Sequence, residues 1–189
     1  MRWALLYARS RQVPAGILVV LLGTAGVWAL AQATDLDRAK GAALALVASA
    51  GVLAAGLRGQ DPELDRTASF SWIPRRAGHV LLIGVAAGLA VLARQAIGED
   101  FAPVGFVARD SLGMLGLGAL GAAVLGGQVA WTVPFLWFSV ALFAPLGPEA
   151  RYQALTWLLQ PSGTPVATWT AIILGVTGTA IYALAGARR

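Results

Sequence analysis

Cysteine is absent from the 189 residues of this chain, and charged residues are scarce. Without cysteine the chain can form neither a disulfide bond nor a thiolate metal site. Only 12% of the residues are charged and 58% are hydrophobic, whereas a soluble domain carries about 25% charge. A water-soluble helical bundle would also need polar faces at the helical period, which the long apolar runs lack. The composition therefore predicts a membrane protein.

The residue patterns for nucleotide binding and catalysis are also missing. A phosphate-binding P-loop needs a Gly-Lys pair, but the sole lysine, Lys40, follows Ala39. The sole histidine, His79, cannot build a usual zinc site alone, and no H-E-x-x-H or G-x-S-x-G sequence occurs. We predict that the chain is not an enzyme and that it holds no cofactor or metal of its own.

Long apolar runs predict an all-α, polytopic membrane protein in which residues 1–189 form a single transmembrane domain. A spanning helix needs about 20 apolar residues. Six stretches qualify, and they cover Pro14 to Ala33, Gly41 to Leu57, Ala77 to Ala93, Ser111 to Gly127, Val129 to Leu146 and Val166 to Ala187. Ionisable groups at membrane depth are lacking, apart from Arg94 and Asp110 near the outer ends, so ion-coupled transport is disfavoured.

Arginine gives the orientation of these spans. If the amino terminus is cytoplasmic, nine of the fourteen basic residues fall in inner segments. Cytoplasmic loops carry an excess of Lys and Arg, so we predict a multi-pass protein of the inner (plasma) membrane with both termini in the cytoplasm. We attribute the net charge of +5 to this orientation and not to nucleic acid binding, so we expect no nucleic acid partner.

A long polar stretch, "DPELDRTASFSWIPRRAGH", separates the second and third predicted spans. Asp61 suits a helix N-cap, Pro62 suits the first helical position, and Glu63 places negative charge at the positive end of the helix dipole. A helix is therefore expected to begin here, on the cytoplasmic side.

The spacing of apolar residues in this stretch predicts an amphipathic helix. Leu64, Ala68 and Trp72 recur at i, i+4 and i+8 and form one apolar stripe. Pro74 disfavours helix in the residue before it, which predicts an end near Ile73. Two interpretations stay open: the helix is a surface anchor whose following arginines meet anionic headgroups, or it docks onto a cytoplasmic partner.

At this loop the chain resembles the six-span permeases of type-2 ABC exporters. Those permeases carry a cytoplasmic coupling helix with an acidic residue, a Gly-Thr pair, and a proline followed by basic residues. The matching positions here are Glu63, Thr67, Pro74, Arg75 and Arg76. Arg66 stands at the position of the glycine, and the interval from Thr to Pro is about one residue shorter than in the family.

The resemblance implies that the loop contacts a separate nucleotide-binding ATPase subunit, which holds ATP and Mg. The residues implied in coupling are Glu63, Asp65, Arg66, Thr67, Trp72, Pro74, Arg75 and Arg76. It further implies membrane lipid and a second permease subunit, identical or homologous, as partners. The expected function is export of a hydrophobic or amphipathic substrate, such as a lipid, a peptide or a drug-like molecule.

Two further segments fit this resemblance. The start, "MRWALLYARSRQ", has the pattern of an interfacial helix and matches the amphipathic amino-terminal helix of the family. Before the last span, "PEARYQALTWLLQP" places Tyr152, Leu155 and Leu159 on one face, which predicts a short outer helix.

Glycines cluster in the fourth predicted span. Gly116, Gly118 and Gly121 match G-x-G-x-x-G, but no strand precedes them, so we do not expect them to bind phosphate. Closely spaced small residues let helix backbones approach in lipid. We therefore predict that Gly113, Gly116 and Gly121 pack against another span or a second subunit.

Two other functions are compatible with the sequence. One is a substrate-binding membrane subunit of a vitamin importer, which would bind a small polar ligand by itself. The other is a non-transporting membrane immunity or assembly protein, which would neither stimulate ATP hydrolysis nor move a substrate.

Overall fold

The computed structural model describes residues 38–54, 57, 73–95 and 102–188, together with Gly23, Ala25, Gly26 and Ala29. Its helices are α1 (Arg38–Ala54), α2 (Ile73–Gln95), α3 (Val104–Val124), α4 (Thr132–Phe143), α5 (Ala150–Leu155) and α6 (Pro165–Ala185), with a 3₁₀ turn at Trp157–Leu159 between α5 and α6. No strand occurs in these ranges. The predicted all-α fold is confirmed for this part of the chain.

Among the described residues, three helices are long and apolar enough to cross a membrane: α2 over Ile73–Ala93, α3 over Val104–Val124 and α6 over Pro165–Ala185. The apolar segments Ala39–Gly51 of α1 and Thr132–Phe143 of α4 are shorter. The membrane-crossing character therefore holds for three of the six predicted spans. The first predicted span, Pro14 to Ala33, lies almost wholly outside the described residues, as does the predicted amino-terminal helix.

The predicted bounds of the fourth and fifth spans are wrong. The fourth span was expected from Ser111, but α3 begins at Val104 and includes Arg109 and Asp110. The prediction counted apolar residues only and therefore left Arg109 and Asp110 out of the span. The helix accommodates both side chains because they pair with each other. The fifth predicted span, Val129 to Leu146, contains only the 12-residue helix α4, because turns precede it and Ala144, in extended conformation, ends it before Pro145.

Contacts between the helices fix their directions. α2 runs antiparallel to α3, since Gly84 faces Leu115 and Gly88 faces Ser111. α3 and α6 run parallel, because Leu112 lies beside Gly175 and the Arg188 amide donates to the Ala122 carbonyl at 2.9 Å. α2 thus crosses in the direction opposite to α3 and α6, which point the same way.

The helix directions define two ends of the molecule. The carboxyl ends of α3 and α6 lie beside the start of α2, and Tyr182 links this end to Leu57 after α1. We call residues 57, 73–79, 121–130 and 182–188 the basic end, because within these ranges Arg75, Arg76 and Arg188 are present and no Asp or Glu occurs. The other end holds the start of α3 and the connection from α4 to α6.

α3 is the central helix. Of its apolar window 72% is buried, against 29% for α2 and 33% for α6. A core cluster on α3 joins Met114 and Leu117 to Phe138 of α4 and to Trp157. A second cluster, nearer the basic end, joins Leu115 and Ala119 to other helices. α2 and α6 therefore present apolar surface outward, as helices bordering lipid do.

Candidate functional site

The predicted coupling residues fall into two groups. Glu63, Asp65, Arg66, Thr67 and Trp72 lie outside the described residues. Pro74, Arg75 and Arg76 are described, and they occupy the first turn of α2 at the basic end.

The start of α2 differs from the sequence expectation. The third span was expected from Ala77 and the predicted coupling helix was expected to end near Ile73, but α2 begins at Ile73, so Ile73 belongs to the membrane-crossing helix. Pro74 fits the first turn, because an amide at that position has no partner within the helix. Arg75 and Arg76 are consequently fixed to a membrane-crossing helix.

The Arg76 guanidinium lies near the carboxyl end of α6. Arg75 is exposed and Arg76 is half-buried. A methyl group added to Gly186 would lie 3.1 Å from Arg76 Cζ, which places the Arg76 guanidinium over the residue that ends α6. Gly186 has a φ of 75°, a left-handed conformation that favours glycine. Any other residue would be strained at this φ, and its side chain would displace the Arg76 guanidinium by a few tenths of an ångström.

Three hydrogen bonds brace this end of the bundle. The Arg188 amide donates to Ala122 O at 2.9 Å, and Arg188 Nη1 donates to Val124 O at 3.1 Å. Tyr182 Oη donates to Leu57 O at 2.9 Å in a buried position. A braced surface of arginines can bind carboxylates or phosphates, because guanidinium donors match both oxygen geometries.

An apolar groove runs along the side of the bundle from the basic end. We call it the lateral groove; it lies between α2 and α6, with Leu112 of α3 on its floor, and has a volume of about 460 Å³. Its walls include Ile73, Ala77 and Leu81 of α2, and Val176, Ala180 and Leu184 of α6. Thr179 is the only residue with a polar side chain that lines it, and the Thr179 hydroxyl has no hydrogen-bond partner.

A second cavity, of about 310 Å³, continues between α2 and α3 toward the opposite end. It shares Leu81 and Leu112 with the lateral groove. Ser111 is its one polar side chain, and the Ser111 hydroxyl is buried without a hydrogen-bond partner. The outer side of α2 is therefore flanked by apolar concave surface over most of its length.

Sequence analysis missed a buried ion pair at the opposite end. Arg109 Nε donates to Asp110 Oδ1 at 2.7 Å, and both side chains are almost fully buried. The other two guanidinium nitrogens donate to Pro161 O and Gln160 O, each at 2.8 Å. Arg109 thereby ties the segment before α6 to α3. Adjacent opposite charges beside an apolar run were the available signal, but they were assigned to an outer loop.

The segment between α4 and α6 enters the bundle. Its α-helix, α5, starts close to the predicted Pro148, but the fully buried residues are Trp157 and Leu158 of the 3₁₀ turn. The predicted face of Tyr152, Leu155 and Leu159 is only half-buried. Trp137 Nε1 of α4 donates to Leu155 O at 3.1 Å, which holds the segment against α4.

The three glycines singled out by sequence all lie where a side chain has no room. A Cβ on Gly113 would strike the Trp157 ring, and one on Gly116 would strike the backbone of Leu174 and Gly175 in α6. On Gly121 it would lie 2.6 Å from Ala130 O. These neighbours belong to the same chain, so the structure accounts for the glycines without a second subunit.

Within the described ranges, no group of three or more His, Cys, Asp or Glu residues could hold a metal ion. No protein-family model matches the chain. No curated protein and no solved structure matches it either.

Proposed function

We propose that this chain is the membrane-spanning permease subunit of an ATP-driven exporter of the ABC type, and that a separate ATPase binds at its basic end. The observation that carries the proposal is the position of Arg75 and Arg76. They follow the predicted coupling helix directly, and they stand in the first turn of a long apolar helix. A displacement of the loop before them would therefore move α2 as a rigid body.

The arginine count over the whole sequence supports a cytoplasmic location for the basic end, because on this orientation nine of the fourteen basic residues fall in inner segments. Lys and Arg are enriched on the cytoplasmic side of membrane proteins. Arg75, Arg76 and Arg188 lie at one end of the described helices. The opposite end mixes both signs, as with Glu149 and Arg151, which pair at 2.6 Å. On this orientation the loop of residues 58–72 also faces the cytoplasm, where ATP is available.

The energy source has to be another protein. Lys40 is the sole lysine and follows Ala39, so a P-loop cannot form. ATP and Mg would therefore sit on the partner ATPase. A second permease subunit, identical or homologous, would complete the path through the membrane.

The surface chemistry supports a hydrophobic or amphipathic substrate. Both cavities beside α2 are lined by apolar residues with a single polar side chain each. An ion or a small polar molecule would find few partners there, whereas a lipid, a peptide or a drug-like molecule could bury apolar surface.

The decisive experiment reverses two charges in the predicted coupling helix. The chain and its co-purified ATPase are reconstituted in liposomes, and ATP hydrolysis is compared with that of the ATPase alone. We expect the double variant Glu63→Arg/Arg66→Glu to insert normally but to lose the stimulation of ATP hydrolysis. Desolvated charge pairs at an interface can contribute several kcal/mol, against about 0–1 kcal/mol for exposed pairs.

The exposed pair at the opposite end provides the matched control. Glu149→Arg/Arg151→Glu makes the same charge reversal in a pair that is 2.6 Å apart, and it should leave stimulation unchanged. If the two double variants behave alike, the loop is a surface anchor and the exporter proposal loses its coupling element. A small polar ligand retained by the chain through purification would instead favour a substrate-binding importer subunit.

A further inference from the structure

The lateral groove is about as long as one membrane leaflet is thick. On α6 its lining runs from Gly175 to Leu184, nine residues along the helix, or about 13 Å at 1.5 Å per residue. A leaflet contributes about half of the roughly 30 Å hydrocarbon core. The groove therefore begins at the basic end and stops near the middle of the bilayer, at the level of Leu112 and Gly175.

The lateral groove has an apolar lining, and its rims are exposed on the outer surface of the bundle. Leu81, Val176 and Leu184 on its rims are more than two-fifths exposed. Its lining offers one hydroxyl, that of Thr179, and no charge. A molecule that fills it must present an apolar chain, since a polar chain would lose its hydration without gaining partners.

Positive charge lies at the basic end of the groove, where the groove begins. Arg76 follows Ile73 by one helical turn, and its guanidinium lies over Gly186, just beyond the groove residue Leu184. Arg75 is exposed at the same level. Arginine binds phosphate oxygens through planar, bidentate hydrogen bonds, and basic pockets between membrane helices bind anionic lipid headgroups.

We propose that the lateral groove and Arg76 together form a binding site for one anionic phospholipid of the leaflet at the basic end. One acyl chain lies in the groove between α2 and α6, and the phosphate binds Arg76, with Arg75 beside it. The groove ends about where such a chain ends, which matches a resident lipid of one leaflet. The site shares Arg75 and Arg76 with the end at which the ATPase is proposed to bind, but its lipid preference is measured on the chain alone, so the two proposals fail separately.

The test uses the absence of native cysteine. Val176→Cys in the groove is labelled with a small fluorophore in the full chain, which is reconstituted in bilayers. Quenching by dibrominated phosphatidylglycerol is compared with quenching by dibrominated phosphatidylcholine. We expect phosphatidylglycerol to be preferred about fivefold, the factor that one arginine contributes near an anionic surface. The control label at Val140→Cys, an exposed position on α4, should show a ratio near one.

Separate variants then remove the positive charge and fill the groove. Arg76→Gln should bring the ratio at Val176→Cys close to one, and Arg75→Gln should lower it less; the second variant keeps the test valid if Arg76→Gln does not fold. Arg151→Gln, at the opposite end, should leave the ratio unchanged. Ala180→Phe should fill the groove and abolish the preference, whereas Leu142→Phe on α4 should preserve it.

Three results would overturn the site. The first is the same lipid ratio at Val176→Cys and Val140→Cys. The second is an unchanged ratio after removal of either arginine or after Ala180→Phe. The third is loss of the preference on addition of inorganic phosphate beyond the effect of chloride at equal ionic strength, because the arginines would then bind a free anion and not a lipid.

Discussion

Arg109 and Asp110 show how a charged pair is accommodated near the end of an apolar helix. The carboxylate takes one hydrogen bond from Arg109 Nε at 2.7 Å, and the guanidinium donates two more to main-chain carbonyls. A buried pair of this kind contributes little net stability, because desolvation offsets the attraction. Removing one partner is far more costly than removing both, since the remaining charge is buried without compensation.

This asymmetry gives a prediction at the residue scale. Arg109→Met leaves Asp110 buried and unpaired, and we expect the free energy of unfolding to fall by about 3–5 kcal/mol. The double variant Arg109→Met/Asp110→Leu also loses the bonds to residues 160 and 161, but it buries no lone charge and should lie closer to wild type. Thermal unfolding in detergent micelles measures both. A double variant as unstable as the single one would show that the tether, and not the unpaired carboxylate, dominates.

Sequence reasoning could not have found the main-chain partners of this pair. It identified the two charges and their outer position along the chain, but the carbonyls that accept from Arg109 lie 51 and 52 residues away. Such a partner is set by tertiary structure and leaves no local signal. The same holds for Trp157, whose burial against Gly113 depends on how the segment after α4 turns back.

At the scale of elements, the α3–α6 contact organises the bundle. Gly116 of α3 and Gly178 of α6 each lie against the backbone of the other helix. Without a hydrophobic driving force in lipid, such packing depends on small residues that let backbones approach. A glycine-rich span was recognisable from sequence, but its partner helix was not, because glycine spacing carries no information about the opposing surface.

Alanine substitution distinguishes glycines that lie against a neighbouring helix from glycines that have open space around them. Gly116→Ala forces a methyl group into the backbone at Leu174, so the free energy of unfolding should fall by about 1–3 kcal/mol. Gly78→Ala on α2 is the control, because nothing lies within 4 Å of an added Cβ. It should not destabilise, and it gains up to about 1 kcal/mol of helix propensity. Equal effects in the two variants would mean that the α3–α6 approach is not tight.

Helix type was predictable from the sequence and helix boundaries were less so. The last helix, Pro165–Ala185, lies close to the expected Val166 to Ala187, since it is uninterrupted and apolar. α3 and α4 deviate where charge pairing and turn residues override hydropathy. Of the predicted coupling residues, only Pro74, Arg75 and Arg76 lie in the described part of the chain, so the coupling helix itself remains a prediction.

At the scale of the whole molecule, helix direction and charge agree. The directions of α2, α3 and α6 place Arg75, Arg76 and Arg188 at one end, which faces the cytoplasm on the proposed orientation. Cysteine introduced at Ser162, which is exposed at the opposite end, should react with an impermeant thiol reagent from outside the cell, and cysteine at Ser69 should not. The reverse labelling would invert the orientation and detach the loop from any cytoplasmic ATPase.

The central claim, that a separate ATPase drives this membrane subunit, is tested most directly by purification from the native membrane. The tagged chain is extracted in mild detergent, its partners are identified by mass spectrometry, and ATP hydrolysis is measured for the complex and for the chain alone in lipid. We expect a nucleotide-binding subunit to co-purify and the chain alone to show no hydrolysis. Hydrolysis by the chain alone, or the absence of any associated ATPase, would contradict the account.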